Sequence, residues 1–410
     1  MALFVRLITI FSGDHLSSQQ LLVHRGTATM PSNLLHQHHL LPCSRAMRTR
    51  LFALLLCLAF AKPLYAETPK TSVVAVHPGT ELLHVINYLA GIAPPMVATY
   101  SYRTAVDEWF AAFASHPAVE HAKSLPYNDF VELGWAFDDA TMALTMPQGF
   151  GWQGALKDPE FLKVYLELSE DFAAQSDFLG FFASQQDNYQ LWVDQFESRL
   201  NELNPEPALW DFFGITDLAE ADTILYYSIS PLGVTLRANM IMEEVSPQHA
   251  HYGVMLVPFD PMFLDGDTYT TPDFNYTDIA LQHAVWHEGS HLIYEPLVEG
   301  FRDQLGAVSY QDCFSRVLTP FDDDALNMYF FIHEVVADSV SILLKSEYVS
   351  EEAAEEHLVL NENIGGYLYR PMFEHFRDVY FAQRHETDFR AHLPQLIDFI
   401  NSVPTTKDCE

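Results

Sequence analysis

A chain of 410 residues, 49% of them apolar, is long enough to bury a sizeable core. Its 21 lysine and arginine residues face 55 aspartate and glutamate residues, a formal net charge of −34 at pH 7. So acidic a surface argues against nucleic acid and anionic membranes as partners and suits solubility in salty surroundings.

In chain order, residues 1–46 carry no pattern that specifies a fold. They read as an extension upstream of the true start or as a dispensable leader, and the cluster His36, His38 and His39 within them is accordingly no metal site. Arg48 and Arg50 then precede the apolar run Leu51 to Ala61, and Leu64-Tyr65-Ala66 is an acceptable small-residue cleavage site before Glu67. Residues 47–66 therefore read as a secretory signal with Met47 as its start, and export to the periplasm or the medium is expected. Cleavage after Ala66 removes six basic residues (Arg6, Arg25, Arg45, Arg48, Arg50, Lys62) and Asp14, leaving 15 basic against 54 acidic residues and a mature net charge of −39. No other segment has the roughly 18 to 20 uninterrupted apolar residues that a membrane span needs, so no stable membrane insertion is expected.

Residues 67–205 read as a helical N-terminal lobe. A short strand at Ser72 to Val76 is followed by helical apolar spacing over Glu81 to Leu89, Ala105 to Phe113, Phe130 to Leu144, Glu160 to Phe172 and Phe181 to Leu203. Asn204-Pro205-Glu206-Pro207 marks a break, and residues 206–410 read as a catalytic lobe. Thr223 to Ile229, Gly233 to Met242 and His251 to Val257 carry β-branched or alternating residues bounded by prolines, which predicts a small sheet. The expected class is α+β, mainly helical, with that sheet lying just before the helix that carries the chemistry.

That helix contains His287-Glu288-Gly289-Ser290-His291. A chain of this composition holds about 0.06 such HExxH patterns by chance, so the context has to carry the argument. Thr277 or Asp278 offers an N-cap, Ile279 to Ile293 has no internal proline, and Pro296 is expected to stop the helix. Residues i and i+4 lie about 40° apart around a helix and about 6 Å along it, so His287 and His291 can ligate one ion. Glu288 sits about 100° round from His287, where its carboxylate can take a proton from water at that ion. A catalytic zinc takes three protein ligands and leaves one position for water, so a third residue is needed. From Ala325 to Leu344 the chain is almost wholly apolar, and its ionisable residues are His333, Glu334 and Asp338. Glu334 and Asp338 share one helix face, where two buried carboxylates repel each other unless a cation or a histidine proton intervenes. Glu334 is therefore the expected third ligand and Asp338 the acceptor that orients His287. Glu295, Glu299 and Asp303 compete for the third place.

These two helices resemble the gluzincin metallopeptidases, whose pattern is HExxH on one helix and Glu-x-x-x-Asp on a later one, here Glu334-Val335-Val336-Ala337-Asp338. The resemblance implies a zincin-like fold and one zinc ion held by His287, His291 and Glu334, with Glu288 as base and proton shuttle. The chain departs from it in the spacer, in which 42 residues separate His291 from Glu334, and at His333, where asparagine is often found. The metzincin pattern does not fit, since it wants glycine at Tyr294 and histidine at Leu297. The stretches Val73-Val74-Ala75-Val76-His77-Pro78 and His116-Pro117-Ala118-Val119 resemble a group of exported bacterial proteins catalogued by a domain of unknown function. That likeness implies export and a shared fold, and names no substrate.

The sheet suggests how a polypeptide substrate docks. Tyr252 to Val257, including Tyr252 and Val254, is the expected edge strand along which an extended peptide pairs. His283 lies one turn before His287 and is expected behind the metal face. Tyr367, Tyr369, Arg370 and His375 are candidates to stabilise the oxyanion of a tetrahedral intermediate. Cys313 and Cys409 form either a long-range bridge or two free thiols. The expected activity is zinc-dependent hydrolysis of peptide bonds. A non-catalytic zinc or peptide-binding protein, or an amidase acting on a non-peptide envelope amide, remains as the alternative.

Overall fold

The structure is a computed structural model that describes residues 72–92, 101–125, 131–145, 159–215, 223–232, 237–241, 251–258, 277–306, 324–363 and 368–403. The expected leader and signal, Tyr367, Cys313 and Cys409 lie outside these residues.

Strand β1 (Ser72–Ala75) leads into α1 (Pro78–Ala90), α2 (Ser101–Phe110), α3 (Pro117–Ala122), a 3-10 turn at Val131–Ala136, and α4 (Pro159–Gln175), α5 (Phe178–Ser184), α6 (Gln186–Leu203) and α7 (Glu206–Phe212). Two His-Pro pairs start helices in the same way. The His77 ring nitrogen accepts from the Thr80 amide ahead of Pro78, and that of His116 accepts from Ala118 ahead of Pro117. Proline suits the first helical position because its missing N–H has no intrahelical acceptor there. Gly91, at φ 69°, closes α1 by returning its N–H to the last carbonyls.

The sheet follows with β2 (Thr223–Ser230), β3 (Arg237–Ile241) and β4 (His251–Pro258), in the order β1-β2-β4-β3. β1, β2 and β4 run parallel, and β3 is antiparallel to β4. Every residue of β2 is buried, as a central parallel strand covered on both faces requires. The expectation that Tyr252 to Val257 forms an edge is corrected here. Tyr252 pairs with Ile224 on one side and Ile241 on the other, Val254 pairs with Tyr226 and Asn239, and the Val254 side chain is wholly buried. Alternating residues mark a strand but carry no record of its neighbours. Among the described residues β3 is the edge on that side.

The C-terminal helices are α8 (Asp278–Val298), α9 (Arg302–Gly306), α10 (Asp324–Tyr348), α11 (Glu351–Asn363), α12 (Tyr369–His375) and α13 (Phe389–Ser402). The two lobes expected on either side of residue 205 share one sheet, through β1 and β2, and one hydrophobic core running from Val74 to Ile400. No described helix is long and apolar enough to cross a membrane. Mainly helical α+β is thus the architecture.

Three local expectations change. The described part of the expected helix Phe130 to Leu144, from Val131 on, is no α-helix: after the 3-10 turn, Asp138 accepts from the amides of Ala140 and Thr141, Met142 takes φ 55°, and Phe137 bridges Leu144. The side chain of Asp138 competes with the helical ladder for its own backbone. Phe181 to Leu203 is broken at Gln185 into α5 and α6. Pro296 lies inside the last turn of α8, which continues to Val298 and forgoes there one amide bond to the Leu292 carbonyl.

Close packing fixes α8. Trp286, almost fully buried, donates its indole N–H to the Pro205 carbonyl at 2.9 Å. A Cβ on Gly289 would meet Leu209 of α7 at 2.4 Å, and one on Gly253 of β4 would meet Leu292 of α8 at 2.9 Å. The two central residues of the HExxH pattern, Gly289 and Ser290, are therefore buried against α7 and the sheet, which leaves the histidine face to α10. A tighter approach occurs at Gly79 and Gly134, where a Cβ on Gly79 would lie 2.0 Å from the Gly134 carbonyl oxygen. Gly79→Ala should cost about 2–3 kcal/mol, because backbone on both sides must move. An unchanged thermal melting temperature in that variant would disprove the close approach.

Candidate metal centre

His287 and His291 stand one turn apart on α8 and face Glu334 on α10. The two Nε2 atoms are 3.3 Å apart, and Glu334 Oε2 lies 3.5 Å from that of His287 and 3.7 Å from that of His291. Zinc–ligand distances of about 2.0–2.2 Å in a tetrahedron separate neighbouring donor atoms by about 3.3–3.6 Å. The triangle therefore has the dimensions of one face of a zinc site.

The outer ring nitrogens determine which tautomer faces inward. His287 Nδ1 is 2.7 Å from Asp338 Oδ1, and His291 Nδ1 is 3.1 Å from Glu295 Oε1. A proton on each Nδ1 satisfies these carboxylates and turns two Nε2 lone pairs towards a third electron-rich atom, the Glu334 oxygen. Such a group repels itself without positive charge inside it. Burial alone would lower His287, but the Asp338 carboxylate with Glu334 and Glu288 outweighs it and holds the imidazole well above its usual range. For His291, Glu334 and Glu295 outweigh the same burial and raise it to about 10. Burial would raise Glu334, yet the two imidazoles hold it well below the usual carboxylate range. The pocket draws in positive charge, as protons or as an ion. With its side chain 34% exposed, Glu334 leaves one side of the site open to water.

Asp338 is the hub behind the ligands. Its second oxygen accepts from Asn361 Nδ2 at 3.2 Å, and the buried Tyr369 hydroxyl lies near enough to feel its charge. Behind it, His283 packs against His357 with ring centroids 4.7 Å apart, and Lys345 Nζ lies 3.1 Å from His357 Nδ1. His283, Asp338 and His357 offer ligand atoms close enough for a cation, as do His291, Glu295 and His333. In the first of these groups the Lys345 ammonium already supplies the charge. In the second, His291 would ligate through Nδ1, and serving that group and the triangle at once would cost it both ring protons. The triangle of His287, His291 and Glu334 is thus the site that fits an ion.

The other expected residues separate. Glu288 is half-buried beside His287, near enough for its charge to raise that imidazole. Glu295 lies on the Nδ1 side of His291, away from the lone-pair face, and Asp303 is exposed on α9, so Glu334 takes the third place among the competitors with described side chains. Tyr369 is buried near Asp338 and Glu334, and that burial with their charges holds its hydroxyl well above the usual range. Arg370 is held away on the surface, forking onto Glu355 and Glu362 at 2.6–3.0 Å. His375 pairs with His392, Nε2 to Nε2 at 3.1 Å, in a separate buried contact. His357, Lys345 and Asn361 were not singled out from the sequence. Their signal is slight, since in α11 His357 and Asn361 are the buried polar pair at i, i+4 in an otherwise glutamate-rich helix.

No family model, curated protein or solved structure matches this chain, so the chemistry is read from the site itself.

Two outcomes follow from this geometry. Asp338→Ala should weaken divalent-ion affinity about 10- to 100-fold by freeing the His287 ring, as read by competition with a chelator; undiminished affinity would remove Asp338 from the site. The second concerns acid. Burial, helped by the Lys345 ammonium, pushes His357 down to about 3, against about 6.5 in an unfolded chain. The folded state thus binds fewer protons than the unfolded one between these values. The stability gained by keeping His357 neutral is present above about pH 6.5 and lost as pH falls towards about 3. Melting temperatures taken in chelator should fall less steeply from pH 6.5 to 4 in His357→Gln than in the parent, and equal slopes would disprove the assignment.

Proposed function

We propose that this chain is an exported, zincin-like zinc metallopeptidase of the gluzincin type. The observation that carries the reading is the triangle of donor atoms at 3.3–3.7 Å, each imidazole backed by a carboxylate on its far nitrogen. Two imidazoles and one carboxylate suit zinc best among the divalent ions. Zinc held by His287, His291 and Glu334 supplies Lewis acidity, lowering the pKa of a water molecule and polarising a substrate carbonyl.

The rest of the chemistry belongs to the chain. The Glu288 carboxylate takes the proton of the attacking water and returns it to the nitrogen of the leaving amine. Asp338 and Glu295 keep the Nδ1 protons of His287 and His291, so both rings present a lone pair throughout. Asn361 holds Asp338 in place. Substrate docking moves from β4 to β3, which among the described residues ends the sheet on the side that packs against α8. An extended polypeptide adding to β3 runs beside the histidine helix.

Elemental analysis should find about one zinc per chain, lost in His287→Ala and in Glu334→Ala. Glu288→Gln should keep the zinc and reduce cleavage of a peptide library by at least about 10²–10⁴-fold. Unchanged cleavage in Glu288→Gln would remove the base, and a zinc-bearing parent that cleaves nothing would leave a binding protein. A parent that holds no metal would sink the whole reading.

A further inference from the structure

We infer that Glu295, braced by His333, is the positioning carboxylate of His291 and that the pair sets the affinity and geometry of the metal site. This rests on the zinc reading above and deepens it.

Glu295 follows His291 by one turn on α8, and its Oε1 lies 3.1 Å from His291 Nδ1. A metal-bound histidine donates its remaining N–H to an acceptor that fixes the tautomer, the ring angle and the basicity of the ligating nitrogen. Asp338 does this for His287 from across the helix pair, at 2.7 Å. Glu295 has to do it from the same helix, close to the C-terminal end and just before Pro296. Its side chain is 40% exposed, less enclosed than that of Asp338 at 10%.

His333 supplies a further constraint. It is 1% exposed on α10, and its Nδ1 lies 3.3 Å from the same Glu295 oxygen. Tyr329 and Tyr294 pack against its ring, with centroids 4.1 and 5.0 Å away. Neither ring nitrogen has a hydrogen-bond partner of good geometry among the described residues, so the Glu295 carboxylate is the acceptor it faces. The resulting chain runs from His291 through Glu295 to His333 and ties α8 to α10 on the side of the site opposite Asp338. Each zinc-facing imidazole thus has its own carboxylate, and each carboxylate is anchored to α10, Asp338 directly and Glu295 through His333.

The test uses the full-length chain loaded with cobalt(II), whose visible bands report ligand geometry, with affinity read by chelator competition. Glu295→Ala should weaken binding about 10- to 100-fold and alter the bands. Glu295→Gln, which keeps an acceptor oxygen but no charge, should recover part of both. His333→Ala should have a smaller effect, and none at all when added to Glu295→Ala, because it acts through that carboxylate. A pair that only holds the fold together would lower the melting temperature and leave affinity and bands as in the parent. Parental affinity and bands in Glu295→Ala, with binding lost in Glu334→Ala, would overturn the inference and leave the zinc reading intact. A second cobalt per chain that disappears in His333→Ala would also overturn it, making Glu295 a ligand. A parent that binds no cobalt would overturn both.

Discussion

Two imidazole lone pairs and a carboxylate oxygen face one another within 3.3–3.7 Å between α8 and α10, and this repulsive arrangement is the constraint around which the C-terminal half is organised. Left to themselves, these atoms would separate or fill with protons. They are kept together because the outer nitrogens are already committed to Asp338 and Glu295, and because both helices are immobilised by packing elsewhere. A buried polar group of this kind is stable only if its charge is balanced, so the site calls for positive charge, as protons or as an ion, before any detail of coordination enters.

The packing that immobilises α8 comes from the face of the helix turned away from the histidine pair. Gly289 lets Leu209 approach, Gly253 lets the helix lie close on the sheet, and Trp286 ties it to the carbonyl of Pro205. A bulkier residue at either glycine pushes the helix away and shifts the histidines relative to Glu334. Since a displacement of about 1 Å at a reacting centre is costly, the small residues inside the pattern serve the geometry of the large ones.

Charge is arranged in layers. Glu334 lies on the lone-pair face, the orienting carboxylates Asp338 and Glu295 lie behind the two imidazoles, and behind Asp338 come the Lys345 ammonium and the neutral rings of His283 and His357. Asp338 and Glu295 each face a further polar partner, Asn361 for the one and His333 for the other. This layering also separates the groups able to hold an ion from those already balanced by protein, which residue type alone does not reveal.

How much of this was readable from residue order depends on how local each feature is. The HExxH spacing, the cap at Thr277, the two acids on one face of a buried helix and the four strands are set by periodicity and turn chemistry within a few residues, and the structure has each of them. Where a side chain or a backbone approach from elsewhere intervened, local patterns misled. Asp138 and the Gly79–Gly134 contact replaced an expected helix, and Arg370 found Glu355 and Glu362 rather than the cleft. The place of β4 inside the sheet, the burial of Tyr369 near Asp338 and the chain from His291 through Glu295 to His333 are pairings between segments. The sequence by itself determined which residues can ligate, orient and shuttle protons, because those properties belong to side-chain chemistry and to spacing along one helix. Only the tertiary structure decided which of them meet, because strand order and helix packing depend on burial summed over the whole core.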